Sequence, residues 1–346
     1  MINTLLDYNI DELEKILTNL GEPKFRAKQL FEGLAQGKSI DEVATLPKEL
    51  KETLKKEFVN ETVVKIEEQK SADGTVKFLF ELNDKNAIES VLMKYDYGYS
   101  VCVSTQVGCR MNCAFCASGI KGLVRNLSAG EILAQVIYIN KYLGGKLGQD
   151  RKVTNVVLMG TGEPLDNYEN VVKFIHLLND KNGLNISTRN VSLSTSGLAP
   201  EIKRLADENL GITLTISLHS ALGDIRQEIM PIAKKYNLRQ IFDVCDYYYQ
   251  KTGRRIVFEY LLIQDLTDTK EQVDELIKLF FNKPYHLNLI RLNEVKEKSL
   301  KASSNNRAMA FLNELKKAGI SVTLRRKLGE DIDAACGQLR QKHINN

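Results

Sequence analysis

Long apolar runs are scarce in this 346-residue sequence; the longest holds a handful of residues, against the roughly 20 that a membrane-spanning helix needs. That excludes a helical membrane protein. The opening MINTLLDYNIDELEKIL carries neither the basic segment nor the apolar stretch of a secretory leader, so the expected location is the cytoplasm, where thiols stay reduced. Charge of one sign is also in short supply. Forty-eight basic residues face 44 acidic ones, for a net charge of +4 and a pI near 8.5. This permits a nucleic-acid partner without demanding one. Cysteine occurs only at positions 102, 109, 113, 116, 245 and 336. In a reducing compartment, clustered cysteines point to metal binding or catalysis rather than to staples.

What is present is a globular composition, 43% hydrophobic and 27% charged, too apolar for a disordered chain. Its length suggests two domains or one large domain with appendages. Residues 1–60 read as a helical module: Leu13, Ile16, Leu17 and Leu20 share a face ahead of Gly21, and further helices are predicted over 25–34, 41–44 and 50–58. Lys24, Arg26 and Lys28 cluster at one helix start, as either a solvated face or an RNA contact. Residues 61–99 switch to short β-rich runs separated by turn signals, a linker segment leading into the main domain. From residue 100 to 346 strands and helices alternate. Strands are predicted at 101–105, 153–159, 190–195, 212–218, 255–263, 286–292 and 320–325. Helices are predicted at 129–143, 168–179, 200–209, 238–250, 270–281 and 305–318. Nearly continuous apolar strands fit a parallel sheet buried on both faces. Six βα units predict an α/β fold, a partial (β/α)6 barrel with its site at the C-terminal ends of the strands.

Chemistry-bearing residues do gather after those strands. Cys109, Cys113 and Cys116 form a C-x3-C-x2-C pattern after the first. Thiolates are soft ligands for zinc, copper(I) or iron–sulfur. With no fourth cysteine nearby they fit a structural zinc poorly, and they suit a four-iron cluster with one iron left open. The second strand ends in Gly160-Thr-Gly162-Glu163-Pro164-Leu165, where glycines let a ligand approach the backbone closely. Ser194 to Gly197 follow the third strand, Ser217, Leu218 and His219 the fourth, and Asn293 the sixth. These small polar groups can serve a ribose and an adenine, or equally cap a turn. Cys245 sits in a helix and reads as core packing.

The cysteine triplet in register with the glycine motif resembles the radical S-adenosylmethionine (SAM) superfamily. VCVSTQVGC, RNLSAGEI, GTGEPLDN, LSTSG, SLH and DIDAACGQL, with GEPKFRAKQL near the start, resemble the RlmN family of dual-specificity RNA methyltransferases over essentially the whole chain. One departure is Gly-Thr-Gly where that family is expected to have Gly-Met-Gly or Gly-Ile-Gly.

The resemblance implies a [4Fe-4S] cluster on Cys109, Cys113 and Cys116 and SAM held by Gly162, Glu163, Ser194, Ser217, Leu218, His219 and Asn293. It implies methylation of adenine carbon 2 in 23S rRNA and tRNA, with an electron donor such as flavodoxin or ferredoxin and a monomeric enzyme. In that family one SAM methylates a cysteine matched by Cys336, and a second supplies the radical that activates this methyl group. Glu89 matches the proton acceptor and Cys102 the resolving thiol, which forms a transient disulfide with Cys336. From sequence alone Glu89 could equally be a solvent-facing strand residue. The basic stretch over 316–342, with Lys316, Lys317, Arg325, Arg326, Lys327, Arg340 and Lys342 against three acidic residues, is the candidate phosphate-binding surface. Three rivals remain: a sister family methylating carbon 8, which the Glu163-Pro164-Leu165 run disfavours; a glycyl-radical-activating enzyme; and an RNA-binding protein with a structural metal.

Overall fold

A computed structural model describes residues 3–295, 298–332 and 337–345. Three helices come first: α1 (Ile10–Asn19), α2 (Phe25–Ala35) and α3 (Lys48–Glu57). The first begins where local chemistry dictates. The Asn9 side chain accepts from the Glu12 amide, and Glu12 accepts from the Asn9 amide, a reciprocal cap that satisfies two orphan donors. Leu13 and Leu17 are buried as expected, but Leu20 is exposed. The helix expected over 41–44 does not form. Turns there suffice to bury Ile40, Val43 and Leu46.

Four strands follow: β1 (Val64–Lys70), β2 (Val76–Glu81), β3 (Ala87–Tyr95) and β4 (Gly98–Cys102), each antiparallel to the last. A small hairpin, β5 (Gln106–Gly108) and β6 (Leu123–Asn126), stands apart. The alternating stretch then runs α4 (Ala129–Tyr142), β7 (Val153–Leu158), α5 (Tyr168–Asn179), β8 (Val191–Thr195), α6 (Ala199–Glu208), β9 (Thr213–Ser217) and α7 (Gly223–Ile229). It continues through α8 (Leu238–Thr252), β10 (Ile256–Leu262), α9 (Lys270–Phe280), β11 (Tyr285–Arg291), α10 (Asn305–Lys317) and β12 (Val322–Leu324). The chain ends in α11 (Gln338–Asn345).

One ten-stranded sheet has the order β1-β2-β3-β4-β7-β8-β9-β10-β11-β12, parallel from β4 onward. This is the expected partial barrel, with β12 as a short seventh parallel strand. The segment expected as a linker supplies β1–β3, which extend the same sheet by an antiparallel wing. The first barrel strand ends at Cys102, earlier than its apolar run suggested, because residues 103–105 leave the ladder to reach the β5–β6 hairpin. Val103 still donates to the Val157 carbonyl and accepts from the Gly160 amide.

The wing divides its side chains by strand alternation. Phe78, Phe80, Ile88, Ser90 and Leu92 face one side, where Phe78 and Phe80 meet Tyr138 of α4 and Ser90 donates to Gln135. Lys77, Leu79, Ala87, Glu89 and Val91 face the other side, together with Cys102, which pairs in register with Val91. α11 packs on that second face, with Leu339 against Leu79 and Ala87.

Candidate active site

The three cysteines sit in a loop tied at its base. Gly108 has φ +81, and a Cβ there would lie 2.0 Å from the Gly122 carbonyl oxygen, so only glycine fits. The Cys109 amide donates to that same carbonyl at 3.0 Å. Further along, the Ala114 amide donates to the Ile229 carbonyl at 2.8 Å, docking the loop on α7. Cys113 packs with Ile229, Met230, Leu261, Ile263 and Leu292 in an apolar cluster separate from the main core, to which Phe115 and Cys116 also belong. Burial holds the Cys109 thiol up at about 12 and pushes Cys113 up further. Neither ionises readily without a metal to compensate the charge. The thiols sense one another electrostatically, yet among the described residues no three Cys, His, Asp or Glu side chains converge tightly enough to hold a single metal ion. Three soft thiolates with no fourth cysteine nearby suit an iron–sulfur cluster better than a four-ligand structural zinc.

Around the loop, the strand ends are locked to one another. Gly160 and Gly162 are packed against the chain beyond β4: a Cβ on the first would meet the Val103 oxygen at 2.6 Å, and one on the second the Gln106 backbone nitrogen at 2.8 Å. These glycines therefore admit a neighbouring segment of the protein itself. Glu163 is buried. Its two carboxylate oxygens accept from the Ser196 amide at 2.7 Å and the Leu165 amide at 3.1 Å, stapling the end of β7 to the end of β8. Desolvation raises its pKa, and the Ser196 contact opposes that. Gln106 completes this staple, accepting from the Glu163 amide and donating to Asn126 and Asp166. The buried hydroxyls of Thr105 and Thr161 make no hydrogen bond among the described residues. Unpaired polar groups are costly when buried, and these two lie beside the strand ends where a polar ligand such as SAM would sit.

After β9 the chain turns sharply. The amides of Leu218 and His219 both donate to the Glu259 carbonyl, and His219 has φ +57. Its buried ring stands edge-on to Phe115 of the cysteine loop, and its Nδ1 accepts from the Leu261 amide at 3.2 Å. Burial drives its pKa down to about 3, with Arg226 adding to the effect, so the imidazole is neutral at any physiological pH. Ser194 and Ser217 are half-buried at the ends of β8 and β9, whereas Asn293 is exposed beyond β11.

Arg226 escaped the sequence reading. Its guanidinium is almost wholly buried and donates to the carbonyls of Leu218 at 3.1 Å, Ser196 at 2.9 Å and Ser217 at 3.3 Å. One side chain thus fixes the ends of β8 and β9 together. Nothing marks it in the sequence, where it is an ordinary basic residue of a short helix.

Glu89 is buried, not solvent-facing as the strand pattern alone allowed. Its Oε2 lies 3.0 Å from Lys77 Nζ and accepts from the Gly337 amide at 2.7 Å, while Oε1 accepts from the Arg340 amide at 2.6 Å. Gly337 has φ +82, and a Cβ there would meet the backbone of Ser118 and Ala117 at about 3 Å. Cys336 lies outside the described residues, but its neighbour in sequence is wedged between Glu89 and the cysteine loop. Cys102, on the same sheet face as Glu89, is a buried free thiol pushed up to about 11 by burial, against the pull of Arg325 and Lys77. Cys245 is buried in α8, as the packing reading expected.

The basic surface is smaller than the sequence suggested. Arg340 is only 4% exposed and its Nε donates to the Ala87 carbonyl, so it faces no RNA. Arg325 pairs with Glu259 at 3.0 Å and Arg26 with Glu22 at 2.6 Å. Lys316, Lys317 and Arg326 are exposed. Among the described residues no helix is long and apolar enough to cross a membrane.

Comparison with known proteins agrees with this geometry. Residues 103–280 match the model of the radical SAM superfamily. A protein of Alkaliphilus oremlandii (strain OhILAs) named "Probable dual-specificity RNA methyltransferase RlmN" is 49% identical over 345 residues, covering 99% of this chain and 98% of its own length. One of the same name from Clostridium novyi (strain NT) is 47% identical, with both chains fully covered. Among solved structures, a radical SAM methyltransferase from Sphaerobacter thermophilus superposes with a TM-score of 0.92 at 38% identity, over 97% of this chain and 98% of that one. With three cysteines in one loop beside the strand ends, this fold and these relatives, the chain belongs to the radical SAM superfamily and, within it, to the RlmN family of RNA methyltransferases, whose members use a [4Fe-4S] cluster and SAM.

Proposed function

We propose that this enzyme methylates carbon 2 of an adenine in 23S rRNA, at the peptidyl-transferase centre, and in tRNA beside the anticodon. The observation that carries the reading is the seat of the tail. Gly337, next to Cys336, is held by Glu89 and packed on Ala117–Ser118 of the cysteine loop, on the sheet face that also presents Cys102. This supports reading Glu89 as the proton acceptor and Cys102 as the second thiol, with Gly337, the neighbour of Cys336 in sequence, held against Glu89 and the cysteine loop.

Carbon 2 of adenine is electron-poor and cannot attack a methyl donor. When bound, the cluster and SAM supply the methyl group and the one-electron chemistry that such a carbon requires. The protein's own groups do the rest. Cys336 carries the methyl as an S-methylcysteine and delivers its carbon to the ring. Glu89, ringed by donors, is the general base for the carbon-2 proton. Cys102 attacks the sulfur of Cys336, releasing the RNA and leaving a transient disulfide. Burial disfavours its thiolate, so Arg325 and Lys77, the two cations that offset this, assist that step. Gly162, Glu163, Ser194, Ser217, Leu218, His219 and Asn293 form the SAM side, with Glu163 and Arg226 setting the strand ends. Residues 1–60 and the exposed Lys316, Lys317 and Arg326 are the RNA-facing surface, and a target base must leave its stack to reach the barrel mouth. The enzyme acts as a cytoplasmic monomer, with flavodoxin or ferredoxin as its electron source.

The test is anaerobic reconstitution with iron and sulfide, reaction with an RNA fragment and SAM, and mass spectrometry locating the methyl on the adenine. A carbon-2 product is expected; a carbon-8 product overturns the assignment. Cys336→Ala is expected to abolish RNA methylation, which a glycyl-radical-activating enzyme would not require.

A further inference from the structure

We propose that Tyr97 is a stacking platform, at the open side of the barrel, for an unpaired base of the substrate RNA that flanks the target adenine. The inference rests on RNA being the substrate and on no assignment of the methylated carbon.

The turn between β3 and β4 is short and pinned. Tyr95 pairs with Gly98, leaving Asp96 and Tyr97 as the two turn residues. Gly98 has φ +129, and a Cβ there would lie 2.6 Å from Thr154 Cγ2. The Thr154 hydroxyl donates to the Tyr99 carbonyl at 3.0 Å, so the turn rests on β7. Tyr97 is nevertheless 63% exposed. Its ring lies on that of Tyr95, with centroids 5.0 Å apart and planes 8° apart. This offset stack fixes the ring before any ligand arrives, which lowers the ordering cost of binding. Tyr95 backs one side of the ring, and the exposed remainder is open to a further planar group.

Tyr95 leads from that platform inward. Strand alternation puts Val91, Met93 and Tyr95 on the face that carries Cys102, the partner of Val91. The Tyr95 hydroxyl leans back towards Met93 Sδ at 3.7 Å. Burial raises the pKa of that hydroxyl, and Arg325 beside it opposes the rise. Arg325 follows β12 and also pairs with the buried Glu259 of β10 at 3.0 Å. Six strands lie between β3 and β12 in the sheet. The meeting of Tyr95 and Arg325 therefore crosses the open side of the partial barrel, and Tyr97 stands on its rim. A base drawn through this opening meets Cys102 on the inner face, while its neighbour in the strand can stay on Tyr97. Lys94 and Asp96 beside the ring are both exposed and opposite in charge. What the turn offers RNA is thus a ring face, which any base can use, and the exposed Arg326 on the facing edge supplies the attraction for phosphate.

The chain contains no tryptophan, so Tyr97→Trp places a single indole reporter on the platform. Titration of the reconstituted holoenzyme with an RNA that it methylates is expected to quench this emission in step with binding. Equilibrium binding of the same RNA separates stacking from other roles. Tyr97→Ala and Tyr97→Leu are expected to raise Kd by about tenfold, and Tyr97→Phe to keep the wild-type value, because the ring is needed and its hydroxyl is not. The dependence of Kd on salt is expected to keep its slope in all three variants, since no phosphate contact is lost. With an RNA made abasic at the stacked position, wild type and Tyr97→Ala are expected to bind alike. An indole signal indifferent to RNA overturns the proposal. So does a Tyr97→Ala Kd equal to wild type, a Tyr97→Phe variant as weak as Tyr97→Ala, or a gap that persists for RNAs abasic at every flanking position. Binding is read without locating the methyl group, so a carbon-8 product would leave these outcomes unchanged.

Discussion

At the scale of single residues, burial decides the chemistry. His219 is neutral because it sits under Phe115 with its Nδ1 already accepting. Its folded-state pKa of about 3 lies below the unfolded value near 6.5. The unfolded chain therefore binds the proton first as pH falls. The stability this ring contributes is complete above pH 6.5 and is lost as pH drops towards 3, by about 1.4 kcal/mol per pH unit. His219→Asn, a residue that tolerates the left-handed backbone, is expected to flatten the acid side of a urea-midpoint against pH curve. Arg226→Met removes a donor from four backbone carbonyls, those of Ser196, Ser217, Leu218 and Tyr236. Destabilisation by roughly 2–4 kcal/mol is expected in equilibrium unfolding, together with weaker SAM binding by calorimetry, since the ends of β8 and β9 lose their tie.

At the scale of elements, the cysteine loop depends on how its hairpin base closes. Gly108→Ala pushes a methyl into the Gly122 carbonyl, whereas Gly122, also at positive φ, has open space around it. Gly108→Ala is therefore expected to cost at least about 2 kcal/mol and to lower iron incorporation sharply on reconstitution, while Gly122→Ala costs only about 1 kcal/mol of backbone strain. Iron content per chain and thermal unfolding distinguish the two. The helices are governed more locally. Asn9–Glu12, Ser128–Glu131 and Asn237–Gln240 form reciprocal caps at the starts of α1, α4 and α8, each between near neighbours in sequence.

At the scale of the whole molecule, the N-terminal helices and the barrel share one core. Leu13, Leu17, Leu30 and Leu34 belong to the same buried cluster as Ile132, Ile137 and the parallel strands. Gly130 at the start of α4 lies against the backbone of Leu6 and Asp7, and its amide donates to Asp7 at 2.7 Å. A continuous core predicts one cooperative transition rather than two. Calorimetry of the full chain is expected to show a single unfolding event, and removal of residues 1–58 to yield aggregation-prone protein by exposing the apolar face of α4.

The alternation of apolar strands with helices, the cysteine triplet and the glycine motif were all legible in the chain, because each is a short-range pattern whose physical cause lies within about a dozen residues. They were enough to predict a parallel barrel with its thiols at the strand ends. Long-range pairing was not legible. No local signal distinguishes Glu89 as buried rather than solvated, joins Lys77 to it across two strands, seats Gly337 on both Glu89 and Ser118, or turns Arg226 towards four carbonyls. Arg340 counted as surface charge until the fold buried it. Those contacts depend on which elements become neighbours in space, and only the packing of the antiparallel wing and the C-terminal helix onto the barrel mouth settles that.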